Sequence, residues 1–385
     1  MKISIFFDGY KPFHEFKDPG QIILGLLDMN QDVNFNTLDK PDLDNYSALF
    51  PIVQISNKKE LYNTKFWERS DSDVIIMYSW LSIRYTSLVE IMKLSGKKII
   101  IKSDSAGRIG YPVIPYRLNV PIFSNYFIKD IWRQAKRFPL KILYEKMIKQ
   151  IELSDGVIIE SPDAVSNLSY FLTRWDREDL IKKIYCVPNP VTPDIIESGL
   201  KTKENIVVCV GRWEDKAPKN TKMMIKVLLN FLKYREDFRV IIIGSGENII
   251  KNLIKNESEN IKQRIQITGQ IDHNKIKDYF LISKIFFMPS CWEGFSISAA
   301  EALCCGCSIA GTPLEPLRYL TMQGFSGSIA SSFKKDAILA TLIQDSIKWD
   351  RNQYNSINIA NFWRNKLDRK VIAEQILNII ENFSK

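Results

Sequence analysis

Short, uninterrupted runs of apolar residues alternate along the chain with segments of helical spacing, and this alternation is the strongest constraint on the fold. The clearest runs are Asp73–Tyr78, Lys98–Lys102, Gly156–Glu160, Asn205–Val210 and Lys284–Met288. Continuous apolar strands separated by helices are typical of parallel sheets that helices cover on both faces. A chain of 385 residues is also long for a single core. The sequence therefore predicts an α/β protein with two doubly wound, Rossmann-like domains.

A proline-rich connector marks the predicted domain boundary. Three prolines fall within residues 188–193, and prolines at this density stiffen a linker. We therefore predict a first domain over residues 1–190 and a second domain over residues 191–365. Residues 366–385 carry apolar positions at helical spacing and are predicted to form a C-terminal helix.

Composition and charge limit the classes of partner. No apolar run approaches the roughly 18–20 residues that span a bilayer, and the N-terminal segment is typical of a first strand, not of a signal peptide. Six cysteines without a paired framework favour a reducing compartment, so we expect a cytoplasmic protein. The net charge of +9 favours anionic partners. Nucleic acid is not the predicted partner, because zinc-finger spacing, an RNA-binding aromatic signature and a basic arm are all missing from the sequence.

Two carboxylates, Glu293 and Glu301, flank a short stretch of small and helix-forming residues. Ser296 is the predicted N-cap of a helix that runs to about Cys304. Eight helical residues rise about 12 Å, whereas the two carboxyl groups of a glycoside hydrolase lie roughly 5–9.5 Å apart. The pair is therefore expected to contact different parts of one elongated ligand. Free N–H groups at the helix start would bind an anion between them.

Cations follow the strand Asn205–Val210. Arg212 stands at the carboxyl end of this strand, and lysines precede the next predicted helix, Met223–Leu232. Two cations in this arrangement are typical of a site that grips a diphosphate. Solvated charges on a loop are the alternative interpretation.

The two glutamates lie in a Pro-Ser-x-x-Glu-Gly-Phe frame that resembles the signature of the retaining glycosyltransferases of family 4. The resemblance is close from about Ile206 to Gly311 and covers the N-terminal half only in outline. It implies the GT-B fold, in which two Rossmann-like domains face each other across a cleft and the C-terminal helix crosses back over the first domain. It also implies transfer of a hexose-type sugar from a nucleotide diphosphate sugar to a hydroxyl of a glycan or lipid-linked acceptor. The resemblance further implies that the configuration is retained and that neither a cofactor nor a metal is needed.

The resemblance assigns the donor site to the second domain, where its residues are Arg212, Lys219, Glu293, Gly294, Phe295, Ser296 and Glu301. Glu293 would contact the sugar hydroxyls, and Glu301 would hold the ribose hydroxyls. Gly294 and Phe295 would present backbone amides. Arg212 and Lys219 would grip the diphosphate, with Lys216 as the alternative to Lys219.

The first domain departs from the family pattern. A histidine is usual at about the position of Asp104, so Asp104 is predicted to take the polar contact with the acceptor or the sugar, and an Asx turn is the alternative. The family's glycine-rich turn has only Gly9 and Gly20 as counterparts here. Gly20 is predicted to let the backbone approach the substrate, although a plain strand–helix loop would have the same sequence.

Other features admit plainer interpretations. The basic segment Ile128–Gln150 is predicted to be helical; a solvated helix face is the favoured interpretation, and contact with an anionic membrane surface is the alternative. His273 is predicted to be a surface residue in a polar turn. Cys304 and Cys307 are predicted to pack at the end of a helix that Gly306 terminates in the left-handed conformation.

Two other functions share these features. A nucleotide-sugar epimerase of similar fold would have the same phosphate site, but it should also carry catalytic carboxylates and histidines in the first domain. A non-catalytic subunit that binds a nucleotide sugar, or acts as a scaffold for glycan assembly, would explain the missing histidine. The set of Arg212, Lys219, Glu293 and Glu301 favours the transferase.

Overall fold

The computed structural model of the chain describes residues 1–39, 48–107 and 137–383, apart from the side chains of 137–141 and 216–217. The chain divides into two units, and the division falls between Thr192 and Pro193, inside the proline-rich connector. The first unit contains the described residues up to Thr192 together with those from Leu367 onward. The second unit contains Pro193–Lys366.

Within the described ranges the first unit has one parallel sheet of seven strands, in the order β3-β2-β1-β4-β5-β6-β7. The strands are β1 (Lys2–Phe6), β2 (Asp32–Thr37), β3 (Ile52–Gln54), β4 (Val74–Tyr78), β5 (Lys98–Ser103), β6 (Gly156–Ile159) and β7 (Ile184–Cys186). The α-helices are α1 (Asp18–Asp28), α2 (Thr64–Arg69), α3 (Thr86–Leu94), α4 (Arg137–Leu153), α5 (Pro162–Thr173) and, near the C-terminus, α16 (Arg369–Asn382). Short 3-10 helices cover Pro12–Phe16, Glu60–Tyr62, Ile83–Tyr85 and Glu178–Lys183.

The second unit has one parallel sheet of six strands in the part of the chain that the structure describes, in the order β10-β9-β8-β11-β12-β13. The strands are β8 (Glu204–Val210), β9 (Arg239–Ile243), β10 (Ile265–Gly269), β11 (Ser283–Met288), β12 (Ser308–Gly311) and β13 (Gly327–Ile329). The helices are α6 (Pro193–Ile196), α7 (Lys216–Lys219), α8 (Thr221–Tyr234), α9 (Glu247–Ile254), α10 (Glu259–Gln263), α11 (His273–Ile282), α12 (Ile297–Cys304), α13 (Glu315–Thr321), α14 (Lys335–Asp350) and α15 (Ser356–Leu367), with a 3-10 turn at Met322–Gly324.

The inner strands of both sheets are buried on both faces, which explains their continuous apolar sequences. Every residue of β4 is buried, for example, as is every residue of β6 and β12. Strands buried on two faces lose the polar alternation of exposed sheets. The least apolar strands escaped prediction: β2 reads Asp-Val-Asn-Phe-Asn-Thr, and β3 and β13 have only three residues each.

The last helix completes the core of the first unit. Ile372, Ile376 and Ile380 of α16 are buried in the same cluster as Ile3 and Ile5 of β1. Helices α16 and α1 pack closely, because a β-carbon at Gly25 would lie 2.4 Å from the Arg369 carbonyl oxygen. The first unit is therefore built from both ends of the described chain.

The predicted basic segment lies only partly within the described residues, because 128–136 fall outside them. Helix α4 begins at Arg137, and one of its lysines, Lys149, pairs with Glu90 of α3 at 2.8 Å. Among the described residues, no helix has both the length and the apolar character needed to cross a bilayer.

Candidate functional site

Two turns of the second unit are joined by backbone contacts at the carboxyl ends of β8 and β9. The amide of Gly211 donates to the Ile243 carbonyl at 3.1 Å, and the amide of Trp213 donates to the Ser245 carbonyl at 3.0 Å. Gly244 has φ +122°, and a β-carbon there would lie 1.9 Å from the Gly211 carbonyl oxygen. Gly244 therefore allows the two turns to approach closely, and this approach positions the loop that carries Arg212.

The loop with the predicted lysine is bonded to the end of β11. The amide of Cys291 donates to the Pro218 carbonyl at 2.8 Å, and the Asn220 side-chain amide donates to the Pro289 carbonyl at 3.1 Å. Asn220 adopts the left-handed conformation, with φ 53°, between α7 and α8. Lys219 therefore ends the one-turn helix α7, in the segment that sequence analysis placed in a loop before the next helix.

Lys219 and Glu293 form an ion pair. Nζ of Lys219 lies 2.7 Å from Oε1 of Glu293, and the two side chains are only 17% and 12% exposed. The structure thus brings together the lysine predicted to bind the diphosphate and the glutamate predicted to bind the sugar. Because each neutralises the other, either can be released to a ligand only if that ligand supplies a replacement charge or hydrogen bond.

Arg212 is held only weakly, since its side chain is 75% exposed. The guanidinium lies 3.0 Å from Asp215, three residues along the chain. Surface pairs of this kind contribute little free energy. The guanidinium can therefore leave Asp215 for a phosphate at little cost.

Helix α12 begins as the sequence predicts, but its start is not capped by the expected hydrogen bond. Ser296 occupies the N-cap position with φ +74°, and its hydroxyl donates to the sulfur of Met288 at 3.0 Å, so it does not bond the first amides of the helix. Phe295 is buried and Gly294 is half-buried. A left-handed serine turns the chain sharply between the Glu293 loop and the helix.

Glu301 is buried in α12, and its carboxylate contacts His273. Oε1 of Glu301 lies 2.9 Å from Nε2 of His273, and the glutamate side chain is 4% exposed. The prediction of His273 as a surface residue is therefore wrong, because the ring is only 27% exposed and is directed at Glu301. The local sequence around His273 is polar and contained no signal of this contact with a residue 28 positions away.

The cysteines at the end of α12 pack as predicted. The Cys307 thiol donates to the carbonyls of Phe280 and Ser283, and burial raises the pKa of the Cys305 thiol to about 12. Gly306 ends the helix with φ +81°. Within the described ranges, no group of three or more His, Cys, Asp or Glu side chains could hold a metal ion.

A buried polar cluster occupies the carboxyl ends of β5 and β6 in the first unit. The Lys102 ammonium, which is fully buried, donates to the Asn189 side-chain oxygen at 2.8 Å. The Asn189 amide in turn lies 3.4 Å from Asp104. Asp104 is thus placed beside a lysine and an asparagine that sequence analysis did not single out as site residues.

Two further carboxyl groups belong to this cluster. Burial, and then the negative charge of Asp104, raises the pKa of Asp18 to about 6 and that of Glu160 to about 8. Glu160 accepts a hydrogen bond from the Ala106 amide at 2.6 Å, and its second oxygen is buried with no hydrogen-bond partner among the described residues. One signal could have identified Lys102 and Glu160: each is a charged residue at the end of an otherwise apolar strand.

Gly20 lies in the first turn of α1 and is buried. A β-carbon there would lie 2.4 Å from the Cα of Glu15, in the preceding 3-10 helix. This packing explains the glycine without a ligand, so a role for Gly20 in substrate binding stays a prediction.

Most of the second unit is similar to a known protein family. A family model described as "Glycosyl transferases group 1" matches residues 192–357. The matched range contains Glu293 and Glu301, the two glutamates that carry the resemblance to family 4.

A curated relative and two solved structures are similar to the chain. The phosphatidylinositol N-acetylglucosaminyltransferase GPI3 subunit of Saccharomyces cerevisiae is 24% identical over 172 residues, so the match spans 44% of this chain and only 33% of that protein. A glycosyltransferase from Rickettsia africae superposes with a TM-score of 0.70 at 15% identity, over 100% of this chain and 98% of the other. Anabaena HepE in complex with UDP superposes with a TM-score of 0.69 at 11% identity, over 99% and 100% of the two chains. The predicted GT-B fold class is confirmed.

Proposed function

We propose that the protein transfers a hexose-type sugar from a nucleotide diphosphate sugar to a hydroxyl of a glycan or lipid-linked acceptor, with retained configuration and without a metal ion. The observation that carries the proposal is the ion pair of Lys219 and Glu293 beside the start of α12. Glu301 lies further along the same helix. The family match and the UDP complex of a structural neighbour support a nucleotide sugar as the donor.

On this proposal the donor opens the ion pair by exchange. The diphosphate is negatively charged, so it can replace Glu293 as the partner of the Lys219 ammonium. The released Glu293 carboxylate then accepts hydrogen bonds from the sugar hydroxyls. Arg212 leaves Asp215 for the same diphosphate. As the bond to the sugar breaks, these two cations neutralise the charge that grows on the leaving group, which is the task a metal performs in other transferases.

The acceptor side is assigned to the first unit. Asp104 stands at the carboxyl end of β5, where parallel sheets present their ligand-binding groups. We propose that it orients an acceptor hydroxyl or the transferred sugar. Lys102 is hydrogen-bonded to Asn189, and the Asn189 amide lies beside Asp104, so both residues contribute to the polar surroundings of the loop.

A second candidate function comes from the yeast relative, which is named as a subunit. A nucleotide-sugar-binding subunit of a larger complex would keep the second-unit site and need not have a complete acceptor site. Thermal-shift titration with UDP, GDP and ADP sugars first identifies the sugar nucleotide that binds, and a turnover assay with that sugar nucleotide then discriminates the two functions. Stabilisation followed by turnover supports the enzyme; stabilisation without turnover favours the binding subunit.

The site assignment is tested by Glu301→Ala and Arg212→Ala. Arg212→Ala should lower release of the nucleoside diphosphate by at least about 100-fold, because removal of one preorganised charge contact from a transition state costs about that factor. Glu301→Ala should lower the release rate at donor concentrations near the wild-type KM, because it removes the contact with the ribose hydroxyls. Arg239→Ala is the matched control: Arg239 begins β9 at the opposite end of the same sheet and is also a partly exposed arginine paired with a carboxylate, Glu204. Near-wild-type turnover in either site variant would contradict the assignment.

Metal independence has its own test. Turnover should be unchanged by an excess of EDTA, since the proposal gives the charge-neutralising role to Arg212 and Lys219. Loss of activity in EDTA, with recovery on addition of Mg²⁺ or Mn²⁺, would overturn that part of the proposal. The configuration of the product's anomeric carbon, read by NMR, tests retention.

A further inference from the structure

The strongest unexplained contact in the second unit is the hydrogen bond between His273 and Glu301. Glu301 lies in the middle of α12, where its neighbours Ala300, Ala302 and Leu303 are fully buried. A carboxylate in such surroundings is costly unless a hydrogen bond compensates for the lost water. Among the described residues, the Nε2 atom of His273 supplies that bond, at 2.9 Å.

The backbone of His273 is held in place by the packing of its helix. It is the first residue of α11, directly after the turn that follows β10, and α11 packs against α12. Further along α11, Lys277 pairs with Asp194 at 3.2 Å, and Phe280 and Leu281 are buried. The imidazole is therefore presented to the carboxylate by a helix that is held at several points.

The chemistry of the contact determines which atom donates. An ionised carboxylate only accepts hydrogen bonds, so Nε2 carries the hydrogen, which points at Oε1 of Glu301. This bond fixes the plane of the carboxylate and leaves lone pairs on both oxygens. A carboxylate held in one plane is suited to two adjacent hydroxyl groups, because each hydroxyl can donate to one oxygen.

We propose that His273 is a positioning residue for the donor nucleotide, which orients Glu301 toward the two ribose hydroxyls and so sets the preference for ribonucleotides over deoxyribonucleotides. The proposal rests on the proposed function, which assigns Glu301 to the ribose. It goes further by assigning a role to a residue outside the segment from Glu293 to Glu301.

Calorimetric titration of the full chain tests the proposal. UDP, GDP and ADP are titrated first, and the one that binds most tightly is then compared with its 2′-deoxy analogue. The wild type should prefer the ribonucleotide, and Glu301→Ala should abolish that preference. His273→Ala should weaken the ribonucleotide about five- to tenfold and leave the deoxy analogue nearly unchanged, because a carboxylate that is free to rotate loses its alignment with the second hydroxyl.

Two conservative variants separate positioning from a merely structural role. In His273→Gln the amide nitrogen is as many bonds from Cα as Nε2, so it should restore most of the preference; His273→Asn places its amide nearer the position of Nδ1 and should not. The double variant His273→Ala/Glu301→Ala should bind no more weakly than Glu301→Ala, since residues that act through one contact are not additive. If the histidine had only a structural role, its replacement would instead weaken binding of the ribonucleotide and of the deoxy analogue equally.

The outcomes distinguish the role of His273 from the function of the site. Wild-type ribonucleotide preference in His273→Ala, with the preference lost in Glu301→Ala, overturns the role of His273 and leaves the proposed function standing. Loss of preference in His273→Ala but not in Glu301→Ala would mean that the histidine contacts the ribose itself, which also overturns the proposal. No binding of any of the three nucleotides to the wild type would overturn both.

Discussion

At the scale of single residues, two charged side chains at the ends of buried strands are removed from solvent. Lys102 and Glu160 are fully buried in the first unit, although each would be solvated in an unfolded chain. The folded state favours the protonated form of Glu160, because burial and the nearby charge of Asp104 raise the pKa of its carboxyl group to about 8. The carboxyl group is therefore a source of pH-dependent stability.

The sign of this dependence follows from proton binding. Between about pH 4.5 and pH 8 the folded state keeps a proton on Glu160 that the unfolded state has released, so stability should fall as pH rises through this window. The slope amounts to at most about 1.4 kcal/mol for each pH unit. Glu160→Gln mimics the protonated acid and can still accept from the Ala106 amide. It should therefore remove this part of the slope.

Urea unfolding at pH 5.5 and pH 8 measures the effect in wild type and Glu160→Gln. The variant should gain stability relative to the wild type at the higher pH and show little difference at the lower pH. Titrating groups outside the cluster of Asp18, Lys102, Asp104 and Glu160 contribute equally to both proteins and cancel. Equal differences at the two pH values would show that Glu160 is not protonated in the folded chain.

At the scale of elements, turns decide where the site residues stand. The turn after β9 needs a glycine because it passes against the turn after β8, and the left-handed Ser296 redirects the chain into α12. These turns hold the Arg212 loop and the Glu293 loop at the carboxyl ends of adjacent strands, β8 and β11. Local backbone geometry therefore sets the positions of the candidate ligand-binding residues in this unit.

The close approach of the two turns is tested by Gly244→Ala. A β-carbon there would overlap the Gly211 carbonyl, and φ +122° is a conformation that alanine rarely adopts, so the variant should lose about 2 kcal/mol or more. Gly199→Ala is the matched control, because this glycine is exposed and no described atom lies within 4 Å of the point where a methyl group would stand. The free energy of unfolding, measured by urea titration, should change little in the control. Similar losses in both variants would refute the role of the turn contact.

At the scale of the whole molecule, the first unit is discontinuous in sequence. Its core includes α16, although the intervening residues Pro193–Lys366 belong to the second unit. The stability of the N-terminal strands should therefore depend on residues near the other end of the chain.

Ile376→Ala tests this dependence. Ile376 is fully buried in the cluster that contains β1, and removal of such a side chain costs about 2–4 kcal/mol. Hydrogen exchange should become faster in β1 and α1 and stay unchanged in β8. Leu94→Ala, at a position 73% exposed in α3, should have no comparable effect. Faster exchange confined to α16 would show that the helix is not part of this core.

The sequence by itself determined the α/β class, most strand and helix positions of the second unit, and the passage from the Glu293 loop into a helix that ends at Cys304. These features depend on local patterns: continuous apolar runs, helix formers and turn residues within a few positions of one another. The tertiary structure alone decided that His273 meets Glu301, that Lys102, Asp104 and Glu160 share one buried cluster, and that the last helix completes the first core. Such contacts depend on which strands become neighbours in a sheet, and strand order is a property of the whole chain that no local pattern encodes.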